Sequence, residues 1–258
     1  MVNTMLRRSG FFVSCVVGML LVSGCQNKEV PYSDRSLYTI YMAGVDKLEK
    51  ERFVQSADEF AQVEQQYPYS SWAPKAQLMA GYALYEGKKY TRAIGTFENF
   101  LYLHPYHPYA DYAHYMVAMS YYQQMDNINR DTQSSEYALE AFTTVMNRYP
   151  TTAYGLDAKN KREKAFNHMA AHHTATGRFY QQNKLFIAAI KSFQKVLNDF
   201  RGSRYEPEAT YRILECSLSL GLPREAELAQ KHLVRHFPQS VWCTRGKEVM
   251  AARQAPAT

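Results

Sequence analysis

The sequence predicts an all-α fold, a solenoid of about five helix pairs, and three observations predict it. An aromatic-centred pattern recurs five times along the chain. Within each copy the apolar residues fall at helical spacing, with no sustained strand-like alternation. The aromatic content is high, with 21 Tyr and 13 Phe, while Gly and Pro are modest in number. Self-similarity at a period of this size indicates stacked supersecondary units, each burying its apolar face against the next.

The elements follow in order. Tyr67-Pro68, His104-Pro105, Tyr149-Pro150, Phe200-Arg201 and Phe237-Pro238 mark five corresponding stops. Four residues before each stop stand Val63, Phe100, Val145, Val196 and Leu233. Seven before stand Phe60, Phe97, Phe142 and Phe193, with Gln230 as the exception. Eleven before stand Ser56, Ala93, Ala138, Ala189 and Ala226. Offsets of this kind lie on one stripe of a helix, with a small residue where another helix must cross closely. Proline ends the helix because it lacks an N–H and clashes with the preceding turn. Trp72, Tyr109, Tyr154, Tyr205 and Trp242 follow the stops by five residues. Pro74 and Pro207 then suit a first helical turn, where a missing N–H costs nothing.

The first helix of each unit is marked by glycine. Gly44, Gly81 and Gly177 each precede a stripe phenylalanine by 16 residues. A mid-helix glycine costs about 1 kcal/mol relative to alanine, so its recurrence predicts close contact between the two helices of a unit. The period from Tyr67 to His104, and from Phe200 to Phe237, is 37 residues. The two middle units are longer. One carries an insertion near Asp126 to Ser135, and the excess of the other, Asp157 to Thr176, lacks Pro and Gly and predicts one extended helix. In the second unit Gly81, Tyr90, Ala93, Phe97, Phe100 and Pro105 resemble the tetratricopeptide repeat, whose usual period of 34 is three residues shorter.

The N-terminal region predicts an address. Arg7 and Arg8 precede an uncharged apolar stretch over 9–24, and Leu20-Leu21-Val22-Ser23-Gly24-Cys25 closes it. This is the three-part layout of an export signal. The stretch is shorter than the roughly 20 residues a membrane-crossing helix needs. Ser23-Gly24-Cys25 resembles the lipobox of bacterial lipoproteins, in which the cysteine is acylated and becomes the first mature residue. Gln26 stands where an aspartate would imply retention at the inner membrane, so the resemblance implies the outer membrane. The expected organisation is 1–24 signal peptide, 25–36 tether, 37–245 repeat domain and 246–258 tail.

Charge and composition narrow the function. Removing Arg7 and Arg8 lowers the formal net charge from +6 to +4, with no Lys/Arg cluster that would track phosphates, so nucleic acid is not an expected partner. Cys216 and Cys243 remain after the signal and Cys25. Two cysteines make no framework, and whether they are bridged stays open. His168 and His172 share a helical face but lack the glutamate of a zinc-protease motif. Asn127, Asn129 and Asp131 lack the glycine and bidentate glutamate of a calcium loop. No nucleophile elbow or phosphate-binding glycine loop is present. No metal, cofactor or catalytic activity is expected, and the chain reads as a protein that binds other proteins.

Tyr67-Pro68-Tyr69-Ser70, the run Phe100-Leu101-Tyr102-Leu103-His104-Pro105-Tyr106-His107-Pro108, and the insertion containing Asn129-Arg130-Asp131 add a narrower resemblance. With the lipobox and the repeats, the chain resembles the YfiO/ComL family of outer-membrane assembly lipoproteins over nearly all of 25–240. The resemblance implies a lipid-anchored scaffold of the β-barrel assembly machinery at the periplasmic face. It would hold the bilayer through acylated Cys25, and bind the periplasmic domain of the barrel subunit, other assembly lipoproteins and unfolded outer membrane proteins. It places the barrel-subunit contact at the fourth-unit turn, with Arg201, Arg204, Tyr205 and Glu208 expected to be exposed. It places the client groove at Tyr82, Tyr85 and Tyr112 on first helices. The other reading is a periplasmic repeat lipoprotein that serves as an adaptor for cell-wall enzymes.

Overall fold

The computed structural model describes residues 35–125 and 132–254. The expected signal peptide, Cys25 and most of the tether and insertion lie outside the described residues. Among the described residues the secondary structure is helical throughout, with no strand. The helices are α1 (Leu37–Glu49), α2 (Phe53–Gln66), α3 (Ala73–Glu86), α4 (Tyr90–Leu103), α5 (Ala110–Gln123), α6 (Gln133–Arg148), α7 (Ala153–Gln182), α8 (Phe186–Asp199), α9 (Glu206–Ser219), α10 (Pro223–His236) and α11 (Val241–Gln254).

Each helix packs on the next in sequence, and the odd-numbered helices α3, α5, α7, α9 and α11 also touch one another in succession. The layer whose members lie closer together follows the shorter arc of a solenoid, so the odd-numbered helices form the inner layer. The arrangement is the tetratricopeptide-like helical repeat that the recurring pattern predicts. The extended helix is present as α7, 30 residues long. The last helix, α11, runs across position 245 into the segment expected to be tail.

The stripe residues form the core. Ser56, Phe60 and Val63 and their counterparts in the next three units are all completely buried, as are Ala226 and Leu233 in the fifth. Burying one such phenylalanine contributes about 1.5–3 kcal/mol. The glycines explain how two helices approach so closely. A Cβ on Gly44, Gly81 or Gly177 would stand 2.8, 2.7 and 2.4 Å from the rings of Phe60, Phe97 and Phe193. In the fifth unit the pair changes places. Leu214 stands where the first, second and fourth units have glycine, and Gln230 stands where the other four units have phenylalanine, so the bulk moves from the second helix to the first. Gln230 donates instead to the Cys243 carbonyl at 3.4 Å.

The five stops share one geometry. Tyr67, His104, Tyr149, Phe200 and Phe237 leave the helix with φ between −123° and −135°, each N–H donating to the carbonyl four residues back. Phe200 does this without a following proline. The backbone geometry and its hydrogen bond therefore form without proline, which reinforces them at the other four stops. Cys216 and Cys243 are free, buried thiols in the clusters around Phe193 and Leu233 respectively.

Candidate functional site

Two places on this scaffold collect the residues singled out in the sequence. The first is the turn between α8 and α9. Gly202, at φ +84°, lets the backbone reverse there, and its N–H donates to the Glu206 carboxylate at 2.6 Å. The Arg204 N–H donates to Asn167 Oδ1 on α7 at 3.0 Å. The Arg204 guanidinium lies 4.9 Å from the centre of the Tyr205 ring and donates to the Tyr205 hydroxyl at 2.8 Å. Arg201 and Arg204 are exposed and Tyr205 is half-buried. A cleft of about 810 Å³ opens beside the turn, lined by Asn160, Glu163, Lys164 and Asn167 of α7 and by Gly202, Arg204 and Tyr205.

Glu208 departs from expectation. It is not exposed: its side chain retains 7% of its accessibility. Arg178 of α7 grips its carboxylate with both ends of the guanidinium, Nε to Oε1 at 2.7 Å and a second bond from Nη2 to Oε2. Arg212 Nε lies 3.5 Å from the same carboxylate. A carboxylate on a first helical turn reads as solvated from sequence, yet here it closes the joint between α7 and α9. Arg212 also donates to Glu215 at 2.9 Å, and Gln181 of α7 donates to Glu215 at 3.0 Å. Sequence reasoning singled out none of Arg178, Arg212 and Glu215. Arg212 lies at helical spacing from Glu208 and Glu215, but Arg178 lies 30 residues from Glu208 and leaves no local signal.

The second place is the inner layer at α3, α5 and α7. Tyr82, Tyr85 and Tyr112 are half-buried. Tyr112 packs edge-on to Phe97 at 6.0 Å and lies 5.6 Å from Tyr154. Tyr115 joins the group 5.1 Å from Tyr154 and donates to Asp157 at 2.5 Å. The Tyr85 hydroxyl accepts from Gln123 at 3.1 Å. Burial, and then the neighbouring Tyr154, Tyr82, Glu86 and Tyr85, push the Tyr112 hydroxyl well above its ordinary pKa. Burial raises Tyr82 and Tyr85 as well. These hydroxyls therefore stay protonated and can donate. The structure brings the three expected tyrosines onto one face and adds Tyr115 and Tyr154.

The histidines serve the scaffold. His168 Nδ1 lies 3.2 Å from Ser135 Oγ, and the His172 ring packs on His173 at 5.2 Å. Among the described residues no helix is long and apolar enough to cross a membrane, and no three acidic, His or Cys side chains are placed to share a metal ion.

Fold and surfaces together define a helical-repeat protein with an inner tyrosine face and a basic turn. Its residues 33–233 match the model of the YfiO family, described as outer membrane lipoprotein, and the chain belongs to that family. It is 35% identical over 239 residues to the outer membrane protein assembly factor BamD of Caulobacter vibrioides, covering 91% of this chain and 78% of that one. It is 31% identical over 228 residues to BamD of Rickettsia prowazekii, covering 88% and 90%. A tetratricopeptide-repeat protein of Thermus thermophilus is similar to it at 15% identity with a TM-score of 0.35, over 84% of this chain and all of the other.

Proposed function

We propose that this chain is an outer-membrane-anchored periplasmic scaffold of the β-barrel assembly machinery, acting by binding and not by catalysis. Cys25 is its lipid attachment point. The α8–α9 turn contacts the periplasmic domain of the barrel subunit through Arg201, Arg204 and Tyr205, with Glu208 holding the turn from behind. The inner face at Tyr82, Tyr85 and Tyr112 receives unfolded outer membrane proteins, and other assembly lipoproteins join the complex.

The observation that carries this reading is the α8–α9 turn. Two guanidinium groups are exposed on a backbone fixed from both sides, by Asn167 and by the Arg178–Glu208 pair. A preorganised pair of cations beside a cleft suits charge-assisted bonds to carboxylates of a partner. Family membership and the likeness to BamD supply the partner class. On the inner face, protonated hydroxyls on half-buried tyrosine rings suit an extended aromatic segment, because each ring offers apolar area and a polar tip.

The test is co-purification from detergent-extracted outer membranes. The unaltered chain carries a large β-barrel protein with it. Arg201→Glu/Arg204→Glu loses that protein while keeping its helical content. Retention of the barrel protein by the double reversal removes the turn from the interface.

A further inference from the structure

The repeat places the same groove twice, and the two copies differ in a way that identifies a ligand. The first groove lies among α2, α3 and α4, and the second among α4, α5 and α6. They are of similar size, about 330 and 400 Å³. Most of their wall positions correspond: Ala61, Leu84, Arg92 and Gly95 of the first occupy the positions of Glu98, Tyr121, Tyr137 and Glu140 of the second.

In the first groove the chain supplies its own cation, Arg92, which pairs with Asp58 at 3.1 Å. In the second groove that arginine is replaced by Tyr137. The carboxylates change places but not number: Asp58 and Glu64 give way to Gly95 and Leu101, while Ala61 and Gly95 give way to Glu98 and Glu140. Neither Glu98 nor Glu140 forms an ion pair among the described residues. Tyr121 and Tyr137 stand 5.2 Å apart at 49°, two walls of an open aromatic corner. Leu101, Val117 and Ala141 line the groove, and Val117 is buried while Tyr137 keeps 43% of its accessibility. No Lys or Arg is among the residues lining the groove; the Arg148 guanidinium lies behind it, 3.0 Å from His114 Nε2. Burial and the nearby Arg148 charge hold His114 to a pKa of about 4, so it is neutral near pH 7.

From this replacement we infer that the α4–α5–α6 groove binds a Lys or Arg side chain presented by a polypeptide partner, doing from outside what Arg92 does from within. An aliphatic stem would lie along Leu101 and Ala141. The charged head would sit against the tyrosine rings, where the ring quadrupole attracts it, between two carboxylates that can each accept from it. The site is separate from both the basic turn and the inner tyrosine face, and the inference holds whichever complex the chain joins.

The test uses the full chain in detergent micelles with fluorinated tyrosine, its Tyr121 and Tyr137 signals identified by Tyr→Phe variants. N-acetyl-lysine methylamide and N-acetyl-arginine methylamide are titrated in. Both move the two signals with saturation in the millimolar range. Glu98→Gln/Glu140→Gln weakens binding at least tenfold. Tyr137→Arg, which restores the first groove's internal cation, abolishes it. N-acetyl-norleucine methylamide, which has the stem without the charge, moves nothing. Equal shifts with norleucine, or shifts that survive the double Gln variant or Tyr137→Arg, overturn the inference. Spermidine binding tenfold tighter than either amino-acid probe would also overturn it, by assigning the site to a free polyamine.

Discussion

Gly177→Ala is a severe test of the packing account, because two opposed effects of known size meet at one atom. Alanine inside a helix is favoured over glycine by about 1 kcal/mol. Here, however, the new Cβ would stand 2.4 Å from Phe193 Cε1. Phe193 is wholly buried in a cluster with Met169, Val196 and Phe200, so its ring has no free space to enter. Overpacking of this kind costs typically about 1–3 kcal/mol, and a contact this short calls for the upper end. The net expectation is a loss of about 2 kcal/mol. A smaller side chain at Phe193 should remove the clash, so Gly177→Ala in a Phe193→Leu background should be neutral or stabilising. The coupling between the two changes should exceed about 1 kcal/mol, within the range of residues in direct contact. Urea unfolding followed by circular dichroism reads this as midpoint shifts at constant slope. A rise in midpoint for Gly177→Ala alone, or simple additivity in the double variant, would refute the reasoning.

Other expectations follow from the same contacts. Glu208→Ala leaves Arg178 and Arg212 facing each other without their shared anion and should cost about 2 kcal/mol, below the usual 3–5 for a buried pair because Arg178 is partly solvated; chemical denaturation of that variant checks it. Arg201→Glu/Arg204→Glu should leave the midpoint within about 0.5 kcal/mol of the parent, as surface changes do. His114 and His173 are both held near a pKa of about 4, by burial first and then by Arg148 and Lys195. Their folded values lie below the unfolded one, so the proton favours the unfolded chain. Their contribution is complete above about pH 6.5 and is lost as the pH falls toward 4. Urea midpoints measured across that window should fall less steeply in His114→Gln/His173→Gln. Burial pushes the Cys216 thiol up to about 11, so neither it nor buried Cys243 should react with a thiol reagent until the chain unfolds, as peptide mapping of the labelled protein would report.

Much of the fold is legible in the sequence because its signals are local and repeated. The spacing of Phe97 and Phe100 within one helix and of His104 at its end is visible without a partner, and so is Gly81 at a fixed distance before them. The stretch Asp157 to Thr176, the middle of α7, announces itself by the lack of Pro and Gly. The exchange of Gly and Phe for Leu214 and Gln230 is visible as an exception at Gln230, but its meaning requires seeing the two helices side by side. What joins distant units is less legible. Glu208 looks like a surface carboxylate until α7 delivers Arg178 to it. Tyr115 carries no mark that separates it from the other tyrosines, and Tyr154 is marked only as a repeat position, not as a neighbour of Tyr112. The contrast between Arg92 and Tyr137 is present in the sequence, at corresponding repeat positions, and gains meaning only once both grooves have walls.

The central claim is that the chain works by holding other proteins at two separate faces. Photo-cross-linking in living cells tests it directly, with a benzophenone amino acid placed at Tyr82 on the inner face and, separately, at Arg204 on the turn. The account predicts adducts of unfolded outer membrane proteins from Tyr82 and of the barrel subunit from Arg204. Adducts from both positions confined to cell-wall enzymes would contradict it.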